Sequence, residues 1–143
     1  MNKLLKRTVV IALAAVGLPA SAAANSESSG CSTERLDGLY VFTASGYTIV
    51  GGVPQPKAIV EVILFNGDGT LFVPDHTRSI NGVIAAGPGG SGTYSLDSDC
   101  VGWIAFAGGP TFDLFMAPRA RDGWMIQTNP NTVFQGRVVQ VSH

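Results

Sequence analysis

Residues 58–73 read AIVEVILFNGDGTLFV, and this stretch decides the fold of the chain. An apolar run rich in β-branched residues fills residues 58–65, and a second apolar run begins at Thr70. Between them, residues 66–69 (NGDG) supply an Asn-Gly and an Asp-Gly pair, which tolerate the positive φ angles of tight turns. The stretch therefore predicts a β-hairpin.

The same pattern continues on both sides of this hairpin. Short runs rich in Val, Ile, Phe, Tyr and Thr alternate with Gly, Pro, Asn and Asp, and no segment carries a sustained helical stripe of apolar residues. We predict a flexible loop at residues 81–92. The eight predicted strands cover residues 39–45, 58–65, 70–80, 93–96, 101–107, 111–116, 124–128 and 132–141.

Short turns between successive strands make a meander, and a meander removes its exposed edges by closing on itself. We therefore predict an all-β fold, an eight-stranded antiparallel up-and-down β-barrel in residues 36–143. A two-sheet sandwich is the alternative, and it is less favoured because long Greek-key crossovers are hard to find.

The amino terminus has the pattern of a secretory signal peptide at residues 1–24. Lys3, Lys6 and Arg7 precede an apolar run that is shorter than the ~20 residues of a membrane span, and small residues suited to cleavage follow it. An uncleaved anchor is the alternative. We predict a periplasmic or secreted protein that meets a membrane only through this segment, with residues 25–35 forming a polar tether.

Two cysteines, Cys31 and Cys100, are the only ones in the chain. Export to an oxidising compartment predicts that they form one disulfide. Closing a loop of this length stabilises a fold by about 4 kcal/mol in the chain-entropy model. Two free buried thiols are the alternative.

Composition excludes several functional classes. The net charge is −1, and loss of the signal peptide would leave six basic and ten acidic residues, so no electrostatic footprint for nucleic acid is present. Apolar residues make up 45% and charged residues 13%, which argues against disorder. No metal-ligand spacing or cofactor motif is found, so we predict neither a metal nor a cofactor.

Glu61 is the most informative polar residue, because it is the one charge in AIVEVILF. A buried carboxylate is costly unless it is paired, which makes Glu61 a candidate for orienting a ligand or for acid–base catalysis. An outward charge or a structural ion pair is the alternative. His76 is the second candidate catalytic residue, with a surface histidine at a strand edge as its alternative.

Aromatic residues are spread over most of the predicted strands, and we expect most of them to form the core. Tyr40, Trp103 and Trp124 also carry polar groups that suit a pocket. Arg137 could clamp a ligand carboxylate or pair with Glu61. The predicted ligand-binding residues are Tyr40, Glu61, Trp103, Phe112, Trp124 and Arg137.

The runs at residues 58–65 and 101–107 are apolar on both faces. A strand that is apolar on both faces is normally covered on both. We predict that a homo-oligomer covers the outside of the barrel, with a chain terminus or a long loop as the alternative.

Three stretches give the chain a family resemblance: residues 36–42 (LDGLYVF), 92–102 (GTYSLDSDCVG) and 134–138 (FQGRV). They resemble elements of small exported bacterial proteins of the allene-oxide-cyclase-like barrel group, which is structurally close to plant dirigent proteins. The resemblance implies an eight-stranded barrel with a central apolar cavity, often trimeric in the plant relatives. It does not carry over a catalytic set.

These observations predict a protein that binds a small apolar molecule inside its barrel. One alternative is an isomerase or cyclase of the same barrel group that acts on a flexible, unsaturated substrate. A second alternative is a filled barrel without a pocket.

Overall fold

The computed structural model describes residues 30–143, in which β-strands make up nearly all the regular structure. The predicted signal peptide and most of the tether lie outside these residues. No helix between residues 30 and 143 is long and apolar enough to cross a membrane. After a 3-10 turn, η1 (Thr33–Arg35), the strands are β1 (Asp37–Val50), β2 (Val53–Asn66), β3 (Thr70–Ile80), β4 (Val83–Gly87), β5 (Ser91–Leu96), β6 (Val101–Phe106), β7 (Thr111–Met116), β8 (Asp122–Gln127) and β9 (Thr132–Ser142).

Eight of the nine strands form a closed antiparallel barrel. Strand β1 pairs with β2 on one side and with β9 on the other, and the pairing continues from β9 through β8, β7, β6 and β5 to β3. Pairing of β2 with β3 closes the ring. The predicted eight-stranded barrel is confirmed, and the sandwich alternative is wrong.

The remaining strand, β4, corrects the prediction of a loop at residues 81–92. Asn81 and Gly82 both have positive φ and turn the chain back, so that β4 pairs with the second half of β3. Strand β5 pairs with the first half of β3. Among the described strands β4 pairs with β3 alone, so it extends the sheet beyond the ring.

Strands β1 and β2 are longer than predicted. The prediction ended the first strand at residue 45 and began the second at residue 58, because residues 51–56 are rich in strand breakers and looked like a connection. Pro54 and Pro56 instead lie in β2, opposite Ile49 and Tyr47 of β1. Pairing of β2 with β3 begins only at Lys57. The prolines therefore lie at a local edge, where a missing N–H group breaks no ladder.

The core fills the barrel with alternate residues from each strand. Two groups of edge-to-face aromatic rings occupy the core, one at each end of the barrel. At one end the Phe65 ring packs against Tyr40 and Tyr94, and at the other the Phe42 ring packs against Phe112 and Phe134. The first end is filled by side chains, whereas the second contains a cavity.

Hydrogen bonds and the disulfide seal the filled end. The Tyr94 hydroxyl donates to the Leu36 carbonyl (2.6 Å) and accepts from the backbone N–H of Gly67 (2.9 Å). Cys31, just before η1, is bonded to Cys100 in the turn between β5 and β6. The predicted disulfide is confirmed, and we name this part of the barrel the closed end.

Candidate functional site

A cavity of about 210 Å³ lies inside the other end of the barrel, between β3 and the turn that joins β6 to β7. We name it the barrel cavity. Its walls are mainly aromatic and aliphatic, and four polar side chains converge on it. The apolar side chains are Phe42, Ile59, Val73, Phe106, Phe112 and Phe134, and the polar ones are Lys57, Glu61, His76 and Arg78.

Glu61 projects from the middle of β2 into the barrel cavity. Only 8% of it is exposed, and it lies opposite Phe42 on β1 and His76 on β3. It forms no hydrogen bond or ion pair with any residue from 30 to 143. Burial raises the pKa of Glu61 to about 7, and the charge of Lys57 opposes this rise only in part. At neutral pH the carboxyl group can therefore both donate and accept a hydrogen bond.

His76 reaches the cavity through an irregularity in β3. The register between β2 and β3 shifts near Val62, and the extra residue of β3 lies close to Pro74. Such a bulge reverses the alternation of the strand beyond it, so His76 shares the inner face with Val73. Its Nδ1 atom is buried and has no hydrogen-bond partner in the described part of the chain, although buried nitrogens normally have one.

Two cations complete the polar part of the cavity. The Lys57 ammonium donates to Gln127 Oε1 (3.0 Å) and lies 4.0 Å from the centre of the Phe134 ring. Burial, and then repulsion from Arg78, lower the pKa of Lys57. Within residues 30–143 the one ion pair joins Arg137 to Asp122, so neither cavity cation has a carboxylate partner.

The structure brings three of the predicted site residues together. Glu61, His76 and Phe112 all line the barrel cavity. Tyr40 is inside the barrel but belongs to the closed end, where its hydroxyl donates to the Ala120 carbonyl (2.6 Å). The prediction that Tyr40 belongs to the pocket wall is therefore corrected.

The other three predicted site residues lie on the outside of the barrel, and their predicted inward placement is wrong. Trp103 and Trp124 are 47% and 51% exposed, because their strand neighbours Ile104 and Met125 take the inner positions. Arg137 forms a two-point ion pair with Asp122 instead of meeting Glu61. These outward tryptophans leave the outer face partly apolar, and the homo-oligomer stays a prediction.

A larger groove of about 650 Å³ follows the outer face of the sheet. Trp124 and Arg137 form part of its lining, together with small side chains such as Thr43 and Ser79. The groove is open to solvent and has no buried ionisable side chain in its lining. The barrel cavity, which holds Glu61 and an unpartnered histidine nitrogen, is therefore the better candidate site.

Lys57 and Arg78 are the polar site residues that the sequence prediction missed. Lys57 directly follows the segment that looked like a connection, and it lies two residues before Ile59 and four before Glu61. Strand alternation extended back from Glu61 places all three on one face. Arg78 shares a face with His76 in the same way, and that signal was readable from the sequence.

Replacing Glu61 with Gln is expected to stabilise the protein at high pH. The pKa of Glu61 is about 7 in the folded protein against 4.5 for an ordinary glutamate. The native state therefore loses stability as the pH rises from 4.5 through 7, and the loss reaches about 3 kcal/mol above that range. Glu61→Gln should remove this loss and leave stability nearly unchanged in acid.

Urea unfolding of both proteins at about pH 4 and about pH 8 measures this difference. Asp113→Asn, on an exposed position of β7, is the matched control and should keep the wild-type pH profile. Equal pH dependence of wild type and Glu61→Gln would contradict the assignment.

No cluster of three or more His, Cys, Asp or Glu side chains in the described part of the chain could hold a metal ion. The lining of the barrel cavity supplies carboxyl, imidazole, ammonium and guanidinium groups. These groups can orient a polar substituent of a bound molecule and exchange a proton with it.

Comparison with known proteins returns no match to a family model, to a curated protein or to a solved structure. The resemblance to allene-oxide-cyclase-like barrels therefore stays a prediction.

Proposed function

We propose that this protein binds a small, largely apolar molecule in the barrel cavity. The observation that carries the proposal is an aromatic cavity lined by the buried Glu61 and by His76, whose side chains have no hydrogen-bond partner among residues 30–143. Such groups are costly in an apolar setting unless a ligand satisfies them. A pocket of this type combines apolar contact with a few polar groups that fix orientation.

The size of the cavity limits the ligand. Its volume of about 210 Å³ is below the roughly 300–1,000 Å³ of pockets for drug-sized molecules. Burial of ligand surface against the aromatic walls would contribute about 25 cal/mol per Å². A single substituted ring or a short branched chain suits this space.

The proposed location is the periplasm or the extracellular medium. The disulfide between Cys31 and Cys100 supports it, because disulfides form and persist in oxidising compartments. The signal-peptide pattern of residues 1–24 supports it independently.

Proton-transfer catalysis, as in an isomerase or cyclase, is the second candidate function. It is favoured by Glu61, whose pKa of about 7 suits acid–base work near neutral pH, and by His76 directly opposite on β3. Glu61→Gln separates the two functions, since it would abolish turnover by an enzyme but only change the affinity of a binding protein.

Gly90→Leu is expected to abolish ligand binding by filling the mouth of the cavity. Gly90 lines the cavity, and a Cβ atom added there meets no other atom within 4 Å. Its backbone lies outside the left-handed region, so a leucine introduces no backbone strain. Because Gly90 lines the cavity and the added Cβ clashes with nothing, we expect the leucine to obstruct the cavity without disturbing the core.

Saturation-transfer NMR with toluene, benzyl alcohol and benzoate as probes measures this effect. Ala86→Leu is the matched control, because Ala86 is exposed on β4 and does not line the cavity. It should bind the probes like wild type. The proposal fails if no probe binds wild type, or if Gly90→Leu binds the probes as wild type does.

A further inference from the structure

We propose that the barrel cavity selects small organic anions, namely monocarboxylates with an apolar body, and that Glu61 takes up one proton when such an anion binds. This inference rests on the proposed function and specifies its ligand class. The ligand carboxylate would lie between Lys57 and Arg78, with its apolar body against the aromatic wall.

The first argument is the unbalanced positive charge. Lys57 and Arg78 both line the cavity, and neither has a carboxylate partner in the described part of the chain. The two cations repel each other, the nearby charge of Glu61 offsets this repulsion at Lys57 only in part, and Lys57 is also half-buried. A bound carboxylate would relieve this repulsion and would form charge-assisted hydrogen bonds with both side chains.

The second argument is that Glu61 cannot remain charged beside a ligand carboxylate. Two carboxylates in one apolar site do not both ionise, because repulsion and desolvation both favour the protonated form of one of them. Glu61 is buried, and no residue between 30 and 143 donates a hydrogen bond that would hold its charged form. It would therefore bind a proton and donate a hydrogen bond to the ligand.

Other charged groups near Glu61 do not replace it in this role. On β2 the facing group is Lys57, and on β3 the neighbours are His76, Arg78 and the exposed Asp75. The cavity wall from β1, β6, β7 and β9 contributes phenylalanines and no titratable group. Among residues 30–143, Glu61 is the one carboxyl group that lines this cavity.

The third argument is the unpartnered Nδ1 atom of His76. It is buried, it belongs to a residue that lines the cavity, and it lies on the strand next to Glu61. A carboxylate oxygen in the cavity would give this nitrogen a hydrogen-bond partner when Nδ1 carries its proton. The ligand would thus supply the hydrogen-bond partner that His76 Nδ1 lacks among the described residues.

Calorimetric titration of the full mature chain with benzoate and with benzyl alcohol, its neutral analogue, tests the inference. Benzoate should bind more tightly than benzyl alcohol at neutral pH. Its binding should be coupled to proton uptake by Glu61, about half a proton per site at pH 7 and about one above pH 8, because the pKa of free Glu61 is about 7. Titrations in buffers of different ionisation enthalpy measure this uptake. Its affinity should fall by about tenfold per pH unit above pH 7. The affinity for benzyl alcohol should stay nearly constant over the same range.

Variants assign the effect to individual groups. Glu61→Gln should remove the pH dependence of benzoate binding, whereas Asp113→Asn, on the outer face, should retain it. Arg78 is exposed, so its replacement should not disturb the core. Arg78→Met should weaken the binding of benzoate by about ten- to hundredfold and should have a much smaller effect on the binding of benzyl alcohol. Lys57→Met should act in the same direction, and thermal melting reports whether each variant is folded.

Three results would overturn the inference. Benzoate could bind no more tightly than benzyl alcohol, its pH dependence could survive in Glu61→Gln, or the dependence could vanish only in His76→Gln. Each of these leaves the proposed ligand-binding function standing, because a neutral probe still binds. Binding of neither probe to wild type overturns both proposals together.

Discussion

The double variant Cys31→Ser, Cys100→Ser is expected to lower the free energy of unfolding by about 4 kcal/mol. The disulfide joins residues 69 apart in sequence, so it removes a large amount of conformational freedom from the unfolded chain. It also fixes the segment before β1 against the turn between β5 and β6. The expected loss of free energy is a large fraction of the stability of an ordinary domain.

Fraying is expected to begin at the closed end. Without the disulfide, the segment around η1 is held by few groups, among them the hydrogen bond from the Leu96 backbone N–H to Thr33 Oγ1 (3.0 Å) and the bonds of the Tyr94 hydroxyl. The barrel cavity lies at the opposite end. A folded fraction of the variant should therefore still bind the small probes.

Urea unfolding of wild type, of wild type with a reducing agent and of the double variant measures the effect. The last two should agree, because both remove the same covalent link. Ser32→Ala, next to Cys31, serves as the control for local changes and should cost far less. A loss below about 1 kcal/mol in the double variant would contradict the chain-entropy argument.

The barrel was predictable because it follows from local rules, and the disulfide because the chain has two cysteines and a signal-peptide pattern. The NGDG turn at residues 66–69 fixes the β2–β3 hairpin, where Gly67 and Gly69 both have positive φ. Repetition of short strands and turns then favours a closed meander. Strand β4 was missed because residues 81–92 are rich in glycine, which local propensity assigns to a loop.

The inner face of each strand was less predictable, since several strands are apolar on both sides. Residues 101–106 (VGWIAF) offer Trp103 or Ile104 as the inward residue, and hydrophobicity alone does not decide between them. Closure of the ring decides which residues point inward, because it places small residues where neighbouring strands approach closely. Gly136 shows this, since a Cβ atom there would lie 1.9 Å from the Thr43 carbonyl oxygen.

Gly136 was also the signal in the sequence for the orientation of Arg137, the next residue of β9. A glycine inside a strand marks a close approach of another backbone. The neighbour of such an inward glycine points outward, and Arg137 does so to meet Asp122. Glu61 could be singled out as a candidate because a single charge in an apolar run stands out whichever face is buried, and the structure places it in the lining of the barrel cavity.

Phe42→Ala is expected to cost about 3–5 kcal/mol of stability, because it deletes a fully buried ring. Phe42 is 0% exposed, and its ring centre lies 5.7 Å from that of Phe112 and 6.4 Å from that of Phe134. The same ring is part of the wall of the barrel cavity. Its removal should therefore also enlarge the space available to a ligand.

Phe115→Ala is the matched control, because Phe115 is 47% exposed on the outer face of β7 and does not line the cavity. It should cost only about 1 kcal/mol and should leave probe selection unchanged. Urea unfolding gives the two stabilities, and titration with benzoate and the larger 2-naphthoate gives the selection. Phe42→Ala should shift the preference towards 2-naphthoate.

The two readouts separate the roles of Phe42 in the core and in the site. If the walls collapse into the vacated space, the stability cost falls towards the low end of the range and the probe preference does not change. If the space stays open, the full cost and the shift to the larger probe occur together. A cost no greater than that of Phe115→Ala would contradict the placement of Phe42 in the packed interior.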